Sequence, residues 1–336
     1  MSALAEQTFS DPDEYAHAVR AARVEGYVTN DAAKFRAALV KVEIGRVWVQ
    51  AGSDSAPRSL HINVSPERVP IFFLRDVPQG STKHSGIDLS SKELVFFARN
   101  ASHFHRTEGV SHWATMSLSP QDFAAASLVL MGRDLSERAT TRVIRPEAHL
   151  MSRLKSLHDM GRRIGGQAPA TIGHPEAARG LEQALMHAMV ACLAAGEDVE
   201  ADRGFQGHVA VMARFEEWLE ENLDRPVYLA DACDAVGVSE RVLRYCCQEH
   251  LSMSPNHYLI LRRMHLAHTA LVRGSPGTTT VAAIAMDFGF WEIGRFSVAY
   301  RRHFGESPKV TLFRPMGSTT KSDGSFPRLP KLHRRL

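Results

Sequence analysis

Hydrophobic positions recur every second residue over much of the first third of the chain. In VKVEIGRVWVQ, Val40, Val42 and Ile44 alternate with polar residues until Gly45 breaks the phase, and LHINV repeats the pattern through Leu60, Ile62 and Val64. That period marks strands with one buried face. PIFFLRD and ELVFFAR add short apolar runs, and the turn-forming stretches DVPQGS and KHSG separate the segments. Residues up to about Leu118 thus predict a mostly antiparallel β domain, with one helix within Asp11–Val24.

The period then changes to that of a helix. SPQDFAAASLVLMG offers Ser119 as N-cap, Pro120 at the first helical position and Gly132 as a stop. HLMSRLKSLHDMGRRI aligns Leu150, Leu154, Leu157 and Ile164 on one stripe, and PEAARGLEQALMHAMVACLA aligns Leu181, Leu185, Ala188 and Cys192 on another. Such a pair either covers the β domain or forms a dimer seam. GEDVEADRGFQG is polar and bounded by glycines, so 196–208 reads as a linker.

Beyond the linker the pattern is helical and repeats. Aligning Gly237 with Gly289 sets Ala230 on Ala282, Cys233 on Ala285 and Val236 on Phe288; one residue later in the second copy, Leu243 meets Phe296, Cys247 meets Tyr300 and Leu251 meets Phe304. Ser254-Pro255 then matches Ser307-Pro308. A small residue four positions before a glycine lets two helices approach, and the glycine permits the sharp turn between them, which is the pattern of a helix-turn-helix. The predicted units are 229–250 and 281–304, joined by the long helix that YLILRRMHLAHTALV continues to Gly274. Two reading helices on one rod should sit about one DNA turn apart, roughly 34 Å.

Charge sharpens this picture. The formal net charge is only +3, with 23% charged and 44% apolar residues, as in an ordinary globular protein. Its distribution is uneven. Between Ala213 and Asp234 seven acids face two bases, whereas from Ser239 to Pro315 ten bases face five acids. A segment polarised in this way can lay one side against phosphates. Cys192, Cys233, Cys246 and Cys247 have no C-x-x-C spacing and read as small buried residues, with a redox switch as the alternative. No run of eighteen apolar residues occurs, and MSALAEQTFSDPDEYAHAV lacks the pattern of a signal peptide, so a cytoplasmic protein without membrane insertion is expected.

The stretches IAMDFGF, GRFSVAYRRHFGESP and SPNHYLILRRMHLAHTAL resemble the AraC/XylS family of transcription regulators over about Val209 to Pro315. The resemblance implies an α+β chain: an N-terminal β-rich, cupin-like or jelly-roll sensing and dimerisation domain over 1–195 with covering helices, and an all-α DNA-binding domain over 209–315. A basic flexible tail would follow over 316–336. It further implies double-stranded promoter DNA, a small organic effector and RNA polymerase as partners, a homodimer, an activator role and no cofactor. By position, Ser239 caps the first reading helix, and Arg241, Arg244 and Tyr245 face bases. An arginine there can hold guanine O6 and N7 in bidentate fashion. In the second helix the matching residues are Ile293, Gly294 and Val298, none of which can hydrogen-bond a base. Trp291, Glu292 and Arg295 flank them, so this unit is expected to read thymine methyls and backbone shape, with Arg295, Arg301 and Arg302 on phosphates.

The effector is expected in the apolar interior of the β domain near Phe72, Phe73, Phe96 and Trp113, with His103 and His105 as polar contacts. SHFHRTEGVSHW also sets His103 and His105 on one strand face, with Glu108 and His112 following. That spacing admits a cupin-type metal motif and, with it, the alternative of a metal-dependent oxygenase fused to a DNA-binding tail. The interval to Glu108 is short for that motif and no second ligand set follows, so no metal is expected. Neither GxSxG, GxGxxG nor a P-loop stands in a suitable context, so no catalytic constellation is expected.

Overall fold

The computed structural model describes residues 3–28, 35–135, 140–167, 175–199, 203–222 and 227–314. The expected tail over 316–336 lies outside them. The chain divides into two compact units, Met1–Ala213 with Cys246–Ser252, and Arg214–Tyr245 with Met253–Leu336.

The first unit runs β1 (Ala3–Phe9), α1 (Pro12–Ala18), β2 (Ala22–Val28), β3 (Ala37–Ile44), β4 (Val47–Asp54), β5 (Arg58–Val64), β6 (Val69–Leu74), β7 (Thr82–His84), β8 (Ile87–Leu89), β9 (Leu94–Phe96), β10 (Ser102–Thr107), β11 (Ser111–Leu118), α2 (Pro120–Met131), β12 (Arg142–Arg145), α3 (Ala148–Gln167), α4 (Pro175–Ala195) and β13 (Glu197–Asp198). Two antiparallel sheets form, ordered β1-β3-β4-β11-β6-β9-β12-β13 and β2-β5-β10-β7-β8. Among the described residues neither closes into a barrel.

Strict alternation explains how the larger sheet serves two cores. On β6, Ile71 and Phe73 join a core with Met116, Leu154, Leu185 and Cys192, under the helices. Phe72 and Leu74 turn the other way, joining Trp113, Val95, Val64 and Leu89 between the sheets. A strand buried on both faces reads as an unbroken apolar run, as PIFFL does. The stripes of α3 and α4 therefore cover the sheet. Ser119 caps α2 by accepting from the Asp122 amide at 3.1 Å, and Gly132 ends it in the left-handed region.

The segment expected to be a linker, 196–208, is partly regular structure. Glu197 and Asp198 pair with Arg145 and Ile144 as β13, and the Arg142 guanidinium holds Asp198 at 2.5 Å. An edge strand offers unpaired amides and carbonyls that even a polar segment can satisfy. Helix α5 (Arg203–Glu221) then begins within the expected linker and continues past the boundary between the units.

The remaining elements are α6 (Leu229–Val236), α7 (Glu240–Leu251), α8 (Pro255–Arg273), α9 (Val281–Asp287), α10 (Ile293–Phe304) and α11 (Pro308–Leu312). The serine-proline repeat is a repeated cap: Ser254 Oγ accepts from the His257 amide at 3.3 Å, and Ser307 Oγ from the Val310 amide at 3.4 Å. Met264, Ala267 and Leu271 of α8 pack with Ile284, Ala285, Phe296, Tyr300 and Leu312 in the core of the second unit.

Candidate nucleic-acid interface

Each reading helix is set by the turn before it. Gly237 and Gly289 have φ of 72° and 75°, the left-handed region that side chains disfavour. The small residues four positions earlier, Cys233 and Ala285, are both buried. Ser239 precedes α7, and its Oγ accepts from the Val242 amide at 3.4 Å. Leu243 is buried, which leaves Arg241, Arg244 and Tyr245 exposed on the opposite side. Arg244 pairs with Glu240 one turn back.

In the second unit Thr280 caps α9, and Phe296 and Tyr300 anchor α10. Trp291 and Val298 are each 73% exposed, an unusual display of apolar surface. Gly294, Arg295, Arg301 and Arg302 are exposed with them, and Arg295 pairs with Glu292 at 2.9 Å. Ile293 is half-buried rather than exposed and packs against the core of the second unit.

A buried network fixes α10 from behind. His268 Nδ1 lies 2.6 Å from the Tyr300 hydroxyl, that hydroxyl donates to Thr311 Oγ1 at 2.8 Å, and Thr311 donates to Glu306 at 2.6 Å. Phe304 stacks on His268 with centroids 4.2 Å apart. Two arginines of the connector α8 are engaged within the second unit. Arg262, 5% exposed, meets Glu216 at 3.1 Å and Glu220 at 3.3 Å, while the half-buried Arg263 lies over the Phe290 ring at 5.3 Å. Arg262 adds nothing to a basic outer face, and Glu216 nothing to an acidic one.

The residues expected around an effector separate by strand parity. Phe72, Trp113, His103 and His105 lie on one side of the large sheet: Phe72 stacks near Trp113 at 6.5 Å and meets His105 edge-on at 4.8 Å. Phe73 and Phe96 face the opposite core, where Phe73 meets His158 and Phe96 meets Phe123. Phe97, not Phe96, closes on His103, at 5.3 Å. The residue missed was His84, on β7, 5.3 Å from His103 and 6.0 Å from His105 between ring centroids. Among the described residues neither ring nitrogen of His84 has a hydrogen-bond partner, while His103 Nε2 lies 2.8 Å from Thr141 Oγ1. Burial pushes His84 well below the usual histidine range, His103 down to about 4 and His105 to about 3, so all three are neutral imidazoles at pH 7. Neutral imidazole is a metal-ligating form, but among the described residues these three do not bring one nitrogen each to a common point. Glu108 pairs with Arg106 at the surface, and the His112 amide donates to Gln79 at 2.9 Å.

The model of a family described as a helix-turn-helix domain matches residues 232–314. The chain is similar to the XylDLEGF operon transcriptional activator 1 of Pseudomonas putida, 31% identical over 117 residues that make up 35% of each protein. It is also 30% identical over 132 residues, 37% of this chain and 40% of the relative, to the probable thc operon regulatory protein of Rhodococcus erythropolis. Over this segment the chain is similar to regulators of the AraC/XylS type. The matched stretch spans 35–40% of the length of these two relatives. A solved structure of a probable AraC family transcriptional regulator from Rhodopseudomonas palustris is 35% identical, covering 31% of this chain and 94% of that one, with a TM-score of 0.28. The matched helix-turn-helix model runs from within α6 through α11, the elements that carry both turns.

Proposed function

We propose that this chain is a sequence-specific transcription regulator of promoter DNA. Its helices α7 and α10 would enter neighbouring major-groove segments, and its β sandwich would sense a small organic effector. The observation that carries the reading is the doubled turn: two left-handed glycines, each followed by a helix with a buried hydrophobic anchor and an exposed outer face. On α7 that face presents Arg241, Arg244 and Tyr245 behind the Ser239 cap, suited to base edges. At α10 the face is formed by Trp291 in the preceding turn and by Val298, suited to thymine methyls, with the bare Gly294 backbone between them, Glu292 and Arg295 beside them and Arg301 and Arg302 on phosphates. Ile293 supports the helix from below.

The functional division proposed is 1–195 for sensing and dimerisation and 209–315 for DNA. Phe72, His103, His105 and Trp113, joined by His84 and Phe97, are the effector-facing residues. RNA polymerase and a second copy of the chain are proposed partners, and the cytoplasm the proposed location. Among the described residues no helix is long and apolar enough to cross a membrane. The test is a titration of duplex DNA with the full chain over a range of salt. A logarithmic slope set by several neutralised phosphates, with tighter binding to one sequence, supports the reading; equal affinity for all sequences overturns it.

A further inference from the structure

The second unit holds a pair of histidines for which DNA reading has no use. His265 lies on α8 and His303 in the last turn of α10, with their Nε2 atoms 2.8 Å apart. The rings meet at 82° with centroids 4.8 Å apart. Phe304 packs against both, at 5.1 and 4.8 Å between centroids, and gives the pair an apolar wall. Both histidines are half-buried, so solvent reaches them.

We propose that His265 and His303 form a binding site for a borderline divalent transition ion such as Zn²⁺, which clamps the connector helix to the second reading helix. In the pair as it stands, one Nε2 carries a proton and the other accepts it. Moving that proton to Nδ1 of the same ring leaves two Nε2 lone pairs pointing into one gap, with no change in charge on either ring. A tetrahedral zinc ion with bonds of about 2.0–2.1 Å needs nitrogens about 3.3 Å apart, so the rings part by about half an ångström and tilt until both lone pairs converge on the ion. Imidazole nitrogen selects late first-row ions over Mg²⁺ and Ca²⁺, which take oxygen ligands. Among the described residues no third imidazole, thiol or carboxylate joins the pair at ligand spacing, so water completes the shell and the ion exchanges readily. The added charge falls at the C-terminal end of α10, where a helix favours cations. The site stands whether or not the chain reads DNA.

The experiment is a Zn²⁺ titration of the full chain against a chelating dye, with melting temperature followed in parallel. The expected result is one zinc equivalent present in the wild type and weakened in both His265→Gln and His303→Gln by more than the about 10–100-fold that loss of an outer partner costs a metal site. His265→Cys, which keeps a zinc ligand, retains the equivalent. Zn²⁺ raises the melting temperature of the wild type and of His265→Cys alone, and Mg²⁺ raises neither. Equal zinc stoichiometry and affinity in the wild type and both glutamine variants overturns the proposal, as does a wild type that takes up no zinc. Should a glutamine variant fail to fold, His265→Cys decides: retention supports the site and loss overturns it.

Discussion

Arg262 and Arg263 are neighbours of identical type, and their environments differ through helix geometry alone. Arg262 points inward from α8 to Glu216 and Glu220, where removing one partner leaves buried charge uncompensated. Arg262→Ala should therefore cost about 3–5 kcal/mol, whereas the double change Arg262→Met with Glu216→Leu should come close to neutral. Urea unfolding monitored by helical circular dichroism measures both. The buried histidines of the first unit make a second prediction at this scale. His103, His105 and His158 have folded-state values of about 4, 3 and 4, against an unfolded value near 6.5, because burial disfavours the charged ring. Their neutral forms are compatible with full stability above about pH 6.5. As pH falls from there toward the folded-state values, the unfolded chain binds the extra protons, and each histidine costs about 1.4 kcal/mol per pH unit. Midpoints at pH 7 and pH 5 should differ strongly in the wild type and less in His105→Phe. A wild-type midpoint unchanged at pH 5 would show that these rings are not buried neutral.

The elements were legible where a local rule decides them. Alternation marked β3 and β5, an apolar run marked β6, Ser119 and Gly132 marked the ends of α2, and the doubled Ser-Pro marked the starts of α8 and α11. Strands β7, β8 and β13, of three residues or fewer, have no period of their own and exist because a neighbouring edge pairs with them. The residues proposed to face an effector were only partly legible, since separating Phe72 and Phe97 from Phe73 and Phe96 requires knowing which face of each strand looks at the other sheet. His84 carries no motif and joins His103 and His105 only through the β7–β10 pairing. The charge imbalance after Ser239 was legible, but its reach was overstated by Arg262, which α8 turns inward onto Glu216 and Glu220. The turns themselves support a prediction at the scale of the element. Gly237→Ala and Gly289→Ala should each cost about 1–2 kcal/mol, because both positions need a left-handed backbone. On α10, Arg295→Ala should lower the salt slope of DNA binding by about one unit without altering which sequence is preferred.

At the scale of the whole molecule, the two proposed recognition helices differ in chemistry. Helix α7 offers guanidinium groups and a phenol, proposed to discriminate base edges by hydrogen bonds; Trp291 in the turn before α10, with Val298 and the bare Gly294 backbone of α10, is proposed to discriminate by shape and methyl contact. On this proposal the chain prefers a bipartite site whose halves lie about one helical turn apart, roughly 34 Å. Selection of bound duplexes from a random pool by the full chain, in parallel with Arg241→Ala, tests this directly. The predicted result is two short enriched segments one turn apart, with preference relaxed at a single position of one segment in the variant and a loss of about 1–3 kcal/mol on the selected site. No enrichment by the wild type, or a variant that weakens every sequence equally, would contradict it.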